Sequence, residues 1–208
     1  MYMSDILAEY NSRCNTSSDI NEHLPTLRAY ASDCESAIEM GVRNCVSSWA
    51  LALGLLENGK EMKLLILNDI NICNTDKLES CLERTPIELQ KIWGNNLNGT
   101  IRTPIDLCFI DTWHVYGQLK RELAYYAPLT KKYIIMHDTT IDEWGGETVR
   151  NIHKYNPDQQ SLHSGIPKEE ILKGLWPAIE EFLAANPEWK LHRRWTNNNG
   201  LTVLKRIE

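Results

Sequence analysis

Two short segments of the chain end in groups suited to acid–base or metal chemistry. The first reads I-D-L-C-F-I-D-T-W-H from Ile105 to His114; the second is Tyr133-Ile-Ile-Met136 followed by His137, Asp138, Thr139 and Thr140. Each opens as a short apolar run, the pattern of a strand buried on both faces of a parallel sheet, and then breaks into polar residues. Ligands of open α/β sheets bind beyond the carboxyl ends of the strands. Neighbouring strands ending this way bring Asp111 and Asp138 to one rim. Two carboxylates so placed raise each other's pKa unless a cation lies between them. Hard oxygen donors suit Mg²⁺, Mn²⁺ or Ca²⁺, with Thr139 adding a hydroxyl or backbone oxygen. The other reading has one acid capping a helix and the second in a salt bridge. His114 has an unperturbed pKa near neutrality and suits a general base; alternatively it is an exposed loop histidine. The neighbours of His137 do not fix its role.

Further candidates lie earlier in the chain. Glu39-x-Gly41 closes another short strand, Ser36 to Met40, and precedes an apolar helix that Ser47 or Ser48 can start. An acid, a glycine allowing close approach and a helix start with free N–H groups together suit a nucleotide-like ligand. Arg43, Asn44 and Cys45 stand where a G-x-G-x-x-G run would carry further glycines, so an ordinary βα turn is the competing reading. Asp69, after the strand Lys63 to Leu67, is placed to accept from both ribose hydroxyls, or to cap a helix. Asn95 and Asn96 follow a third, more exposed strand from Pro86 to Trp93 and suit an adenine edge or a plain polar turn. Trp113, Tyr116 and Trp144 can wall a ligand site or join the core.

Positioning these residues requires a sheet. Strands at Ser36, Lys63, Pro86, Ile105 and Tyr133 alternate with helical patterns at Trp49–Leu56, Thr75–Arg84 and Tyr116–Tyr126, the signature of βα units. A helix over Leu24–Cys34 leads in, with a short helix around Asp5–Tyr10. Glu147–His153 and Ile171–Ala185 read as helices. The segment 154–168, with Asn156-Pro157, Gly165 and Pro167, reads as a surface loop or lid. Trp189–Trp195, a turn at Asn197–Gly200 and Leu201–Leu204 form a terminal hairpin. One domain over residues 1–208 is expected, with 1–34 as an N-terminal lead-in.

Bulk properties narrow the function classes. With 208 residues and a formal net charge of −6, the chain shows no basic stripe of the kind nucleic-acid binders carry. Six cysteines without C-x-x-C spacing, several inside apolar runs, point to reduced, buried thiols. Neither a signal peptide nor a membrane-length apolar run is present. A soluble, cytoplasmic protein with a small-molecule or glycan acceptor is expected; a homo-oligomer or a place within a larger multidomain chain is compatible with this.

Five segments carry a resemblance: I-N-E-H-L-P-T-L, A-I-E-M-G-V-R-N-C-V-S-S-W-A-L, L-C-F-I-D-T-W-H-V-Y, Y-I-I-M-H-D-T-T, and W-P-A-I-E-E-F-L-A-A-N-P-E-W with the closing hairpin. Through them the chain, from about Ile20 onward, resembles class I S-adenosylmethionine-dependent methyltransferases. The branch is that of the cephalosporin-hydroxylase-like and macrolide-sugar O-methyltransferases. The resemblance implies a Rossmann-like, doubly wound seven-stranded sheet, mostly parallel with an antiparallel C-terminal hairpin strand and helices on both faces. It implies S-adenosyl-L-methionine near Glu39, Gly41 and Asp69, with Ser47, Asn95, Asp111 and Trp113 completing its site. It further implies a divalent cation at Asp111 and Asp138, with His114 as base. Relatives often carry Glu-Asp or Asp-Asn where this chain has His137-Asp138-Thr139. The expected activity is O-methylation of a sugar or other vicinal diol. A catechol or other phenol acceptor, and a non-catalytic module keeping the fold, are the alternatives.

Overall fold

Strand β4 (Ile105–Ile110) lies at the centre of the sheet, and its side chains alternate between two cores. Leu107 and Phe109 enter one apolar cluster, Cys108 and Ile110 the other. That period of two is why the stretch is apolar on consecutive positions: both faces are covered. The computed structural model describes residues 2–99 and 101–207. In chain order its elements are α1 (Tyr2–Asn15), α2 (Leu24–Ala31), β1 (Ser36–Met40), α3 (Val46–Glu57), β2 (Lys63–Asp69), α4 (Asp76–Leu82), β3 (Ile87–Trp93) and β4. There follow α5 (Tyr116–Tyr126), β5 (Thr130–His137), α6 (Gly146–Arg150), α7 (Pro157–Ser164), α8 (Lys168–Ile171), α9 (Leu175–Ala185), β6 (Trp189–Trp195) and β7 (Leu201–Arg206).

The strands form one 7-stranded sheet in the order β3-β2-β1-β4-β5-β7-β6, parallel from β3 to β5 and antiparallel where β7 joins β5 and β6. This is the expected doubly wound architecture. One face is covered by α1, α2, α3 and α4, through residues such as Tyr10, Leu27, Trp49 and Leu78; the other is covered by α5 and α9, through Leu119, Leu123, Ile179 and Phe182. The order reverses between β1 and β4, so their carboxyl ends open a crevice.

The structure revises several expected boundaries. The short N-terminal helix extends over Tyr2–Asn15, and α2 stops at Ala31. The expected helix Ile171–Ala185 is split at Gly174, whose Cβ would meet the Asp142 carbonyl at 2.3 Å. Most consequentially, the expected loop 154–168 contains α7. Asn156 caps it by accepting from the N–H groups of Asp158 and Gln159, and Gly165 ends it at φ +71°. The residues taken as loop punctuation are a helix's N-cap and C-terminal glycine. Among the described residues no disulfide forms: Cys34, Cys45 and Cys108 are buried, whereas Cys14, Cys73 and Cys81 are only partly so. No described helix is long and apolar enough to cross a membrane.

Candidate active site

The turn after β1 shapes one wall of the crevice. Gly41 has φ +94°, and a Cβ there would lie 1.9 Å from the Asp111 carbonyl oxygen, so only glycine lets the ends of β1 and β4 approach. Arg43 (φ +48°) and Cys45 (φ +54°) also adopt left-handed backbone. Together the three alternate residues take conformations that favour glycine although two of them are not glycine. Asp69 stabilises this turn: its Oδ2 accepts from the N–H groups of Val42 (2.9 Å) and Arg43 (3.0 Å), and its Oδ1 from Asn71 (2.9 Å). Burial works against the Asp69 charge, but these backbone donors hold its carboxyl below the usual range.

A cavity of about 580 Å³ runs along this edge. Gly41, Asp69, Asn95, Asp111 and Trp113 all line it, as do Arg43, Asn96, Thr112, Gln118 and three residues of α7, namely Gln160, His163 and Ser164. Five of the seven residues expected at a cofactor site are thus brought together. Glu39 and Ser47 are not among them. Glu39 is fully buried and accepts hydrogen bonds from the hydroxyls of Ser47 and Ser48. Burial pushes its pKa up to about 8. Ser47 instead lines a separate pocket of about 30 Å³ beside Asp19 and Gly41. Tyr116 belongs to the core and donates its hydroxyl to Glu181, while Trp144 is exposed.

At the carboxyl ends of β4 and β5 the acids meet around imidazoles. His114 Nε2 lies 3.2 Å from Asp111 Oδ1; its Nδ1 lies 3.0 Å from Asp138 Oδ2 and 3.2 Å from Asp142 Oδ2. His137 Nδ1 lies 3.3 Å from the same Asp111 oxygen, and its Nε2 donates to the Asn198 carbonyl at 3.1 Å. A carboxylate or carbonyl oxygen only accepts, so both His137 nitrogens donate and that ring is a charged imidazolium; His114 donates from Nε2 to Asp111, and its buried Nδ1 makes no hydrogen bond among the described residues. Burial opposes that charge, but the carboxylates prevail: His114 is raised well above its ordinary value and His137 to about 10. Burial likewise opposes ionisation of Asp111, yet hydrogen bonds from His114 and His137 keep its carboxyl well below the usual range. His114 is therefore embedded in an acid cluster, a stronger constraint than the loop base expected from sequence.

Asp138 adopts φ +57°, uncommon for a residue other than glycine, and its Oδ1 is buried with no hydrogen-bond partner among the described residues. Thr139 is not brought into the cluster: its hydroxyl is engaged by Thr202 (2.8 Å) and its carbonyl by Arg194 (3.2 Å). Two supporting residues escaped sequence reading. Asp142 contacts His114 and is gripped by Arg150 at 2.8 and 2.7 Å, a bidentate pair. Asn198, in the hairpin turn, supplies the carbonyl that orients His137. Neither sits in a motif, and only the N-N-N-G turn composition marks the second as structurally special.

No protein-family model and no curated protein sequence matches the chain. Solved structures do match it in shape. An O-methyltransferase from Bacillus cereus in complex with SAH aligns over 100% of this chain and 90% of its own, at 15% identity and TM-score 0.57. TomG, an O-methyltransferase of Streptomyces achromogenes involved in tomaymycin synthesis and solved with SAM, covers the same shares at 13% identity and TM-score 0.56. The SAH-bound methyltransferase PaMTH1 of Podospora anserina covers 98% and 88%, at 13% identity and TM-score 0.56. The chain has a methyltransferase fold. Within that fold, the cavity and the acid–imidazole cluster lie side by side at the carboxyl edge of the sheet, sharing Asp111.

Proposed function

We propose that this protein is an S-adenosylmethionine-dependent O-methyltransferase acting on a hydroxyl of a sugar or glycan that carries neighbouring hydroxyls, with a divalent cation assisting. One observation carries the reading: Asp111 belongs both to the wall of the 580 Å³ cavity and to the cluster with His114 and Asp138. A donor lying in the cavity would thereby meet an acceptor held at the cluster. The cavity volume is that of a cofactor site, and its few polar groups converge from several strand ends. The three solved neighbours that bind SAM or SAH support the choice of donor.

The residues present fit a divalent cation. One ligand atom each from Asp111, His114 and Asp138 lie within 4.8 Å of one another, and the orphaned Asp138 Oδ1 is buried beside them. Asp111 and Asp138 would hold it through carboxylate oxygens, donors that suit Mg²⁺ or Mn²⁺, with His114 beside them as base. When bound, such a cation supplies Lewis acidity that lowers the pKa of a coordinated hydroxyl, and S-adenosylmethionine supplies an electrophilic sulfonium methyl group.

The chain's own groups supply position and proton transfer. Asp69 retains acceptor capacity on Oδ1 for a ribose hydroxyl beyond its three backbone bonds. With Asp111 and Asp138 engaged by a cation, His114 would lose the carboxylates that keep it protonated and would take the proton of the acceptor hydroxyl at Nδ1, which has no hydrogen-bond partner among the described residues. Helix α7 walls the cavity through Gln160 and His163 and limits water entry.

Two measurements test the proposal. Calorimetry with S-adenosylhomocysteine should give saturable binding, and its absence would remove the enzymatic reading in favour of a non-catalytic module. A screen with labelled methyl donor, across free and nucleotide-linked sugars and catechols, should label sugars in a Mg²⁺- or Mn²⁺-dependent way. Labelling of catechols alone would replace the sugar acceptor with a phenol.

A further inference from the structure

The turn between β6 and β7 is more strained than a chain reversal requires. Asn198 has φ +43° and Asn199 φ +68°, two adjacent residues in left-handed backbone that favours glycine. The bend has a geometric result. Successive carbonyls of an extended strand point to opposite sides. Those of Asn197 and Asn198 instead receive two imidazoles that touch each other. His23 Nε2 donates to the first at 2.9 Å and His137 Nε2 to the second at 3.1 Å, and the rings meet edge to face with centroids 5.8 Å apart. Strain held at such a position points to a use for it.

The bend is clamped from the other end of the chain. Asn198 Oδ1 accepts from the Glu22 N–H at 3.1 Å, and its Nδ2 donates to the Ser18 carbonyl at 2.9 Å. Asn197 Nδ2 donates to the Glu22 carboxylate at 2.5 Å. The segment 18–23 is itself folded back, with the Ser18 N–H on Asn21 Oδ1 at 3.0 Å and the His23 N–H on the Ile20 carbonyl at 2.9 Å. Both polar atoms of the Asn198 side chain are thus spent on the clamp, and its backbone carbonyl alone serves His137. The side chain acts by fixing the direction of that carbonyl.

What the clamp serves lies one ring further in. The His137 side chain is wholly enclosed and does not line the cavity, so it acts only through its neighbours. Its Nδ1 and His114 Nε2 reach the same oxygen of Asp111, Oδ1, at 3.3 and 3.2 Å. With both rings on Oδ1, Oδ2 accepts no hydrogen bond from the described residues and is available as a ligand atom. We propose that Asn198 is a positioning residue: clamped by Ser18 and Glu22, it aims its carbonyl at His137, and His137 so held fixes the Asp111 carboxylate that would bind the cation. This rests on the cation reading above. Partners of this outer kind set the orientation of a ligating carboxylate, and their loss weakens metal binding without touching the metal.

The test compares the wild-type chain with N198G. Glycine adopts φ +43° without strain, so the variant keeps the bend while losing both clamp bonds. In metal-free protein with isotope-labelled histidine, the His137 Nε2–H should give a slowly exchanging ring-proton resonance, assigned by its absence from H137Q. In N198G that proton should exchange at least about tenfold faster. Mn²⁺ titration followed by paramagnetic resonance should show the Kd raised at least about tenfold in N198G. Calorimetric affinity for S-adenosylhomocysteine should stay within about twofold, because Asn198 is not part of the cavity wall. Unchanged Mn²⁺ affinity in N198G, or a ring proton as well protected there as in the wild type, would overturn the proposal. So would equal losses of Mn²⁺ and S-adenosylhomocysteine binding, the mark of a merely structural role. N198D keeps an oxygen for the Glu22 N–H but cannot donate to Ser18; its ring proton should exchange at an intermediate rate, and it decides the matter where N198G does not fold. A wild type that binds no Mn²⁺ would instead remove the cation reading, and the ring proton would still decide the positioning.

Discussion

Asp111 and Asp138 meet through a ring: the Nε2 and Nδ1 atoms of His114 stand 3.2 Å from the one carboxylate and 3.0 Å from the other. Removing the imidazole therefore removes both the proposed proton acceptor and the spacer between two buried acids.

His114→Ala should lower methyl transfer to an alcohol acceptor by about 10²- to 10⁴-fold, the usual contribution of a positioned base. Binding of S-adenosylhomocysteine should persist, because His114 is not part of the cavity wall. Turnover and calorimetry on the same preparation check both halves. A loss smaller than about threefold would indicate an acceptor that ionises unaided, as a phenol does.

Asp138→Asn should weaken Mn²⁺ binding by more than about tenfold, since a neutral amide replaces one of the ionised ligands of a hard cation. Titration of Mn²⁺ followed by paramagnetic resonance reads this directly. Activity that survives exhaustive EDTA treatment undiminished would dismiss the cation altogether.

Glu39 makes folding stability fall with rising pH. Burial holds its native pKa at about 8, despite the hydrogen bonds from Ser47 and Ser48. An unfolded glutamate titrates near 4.3, roughly as in model peptides. Below that value both states carry the proton and the contribution is constant. Between it and about 8 the unfolded chain loses its proton first, so stability declines as pH rises, then levels off. Glu39→Gln lacks this titration. Urea unfolding at pH 5 and 8 should show the variant gaining on the wild type by on the order of a few kcal/mol. Parallel pH profiles for the two proteins would contradict the assignment.

Gly41→Ala would place a Cβ 1.9 Å from the Asp111 carbonyl oxygen at a backbone φ of +94°. A cost of about 2–4 kcal/mol follows from strain and displacement of β4. The expected readout is a lower Tm together with loss of S-adenosylhomocysteine binding, as the turn and Asp111 border the same cavity. An unchanged Tm would mean that the two strand ends separate without penalty.

Much of the fold was legible because the signals were local. Alternating apolar strands, their acidic ends and the N-N-N-G turn each state their structure within a few residues. Helix α7 was not legible, because none of its residues is buried and no apolar stripe marks it. Its caps, Asn156 and Gly165, are residues that also end helices. The candidate site was half legible. Asp111, His114 and Asp138 stood at strand ends, but the role of His137 depends on Asn198, distant in sequence, and that of Asp142 on Arg150. Glu39 matched the position of a cofactor ligand, yet its orientation toward α3 is set by packing that no spacing reveals.

The hairpin turn at Asn197–Gly200 has a bearing on biosynthesis. Its carbonyl groups receive His137, His23 and the backbone of Thr140, and the strand that follows it, β7, covers the open edge of β5. Until a nascent chain has delivered these residues from the ribosome, β5 has a neighbour in β4 alone and His137 lacks its Asn198 anchor. The candidate site is thus complete only with the hairpin, and until then the exposed β5 edge is the place where a chaperone would have most to protect.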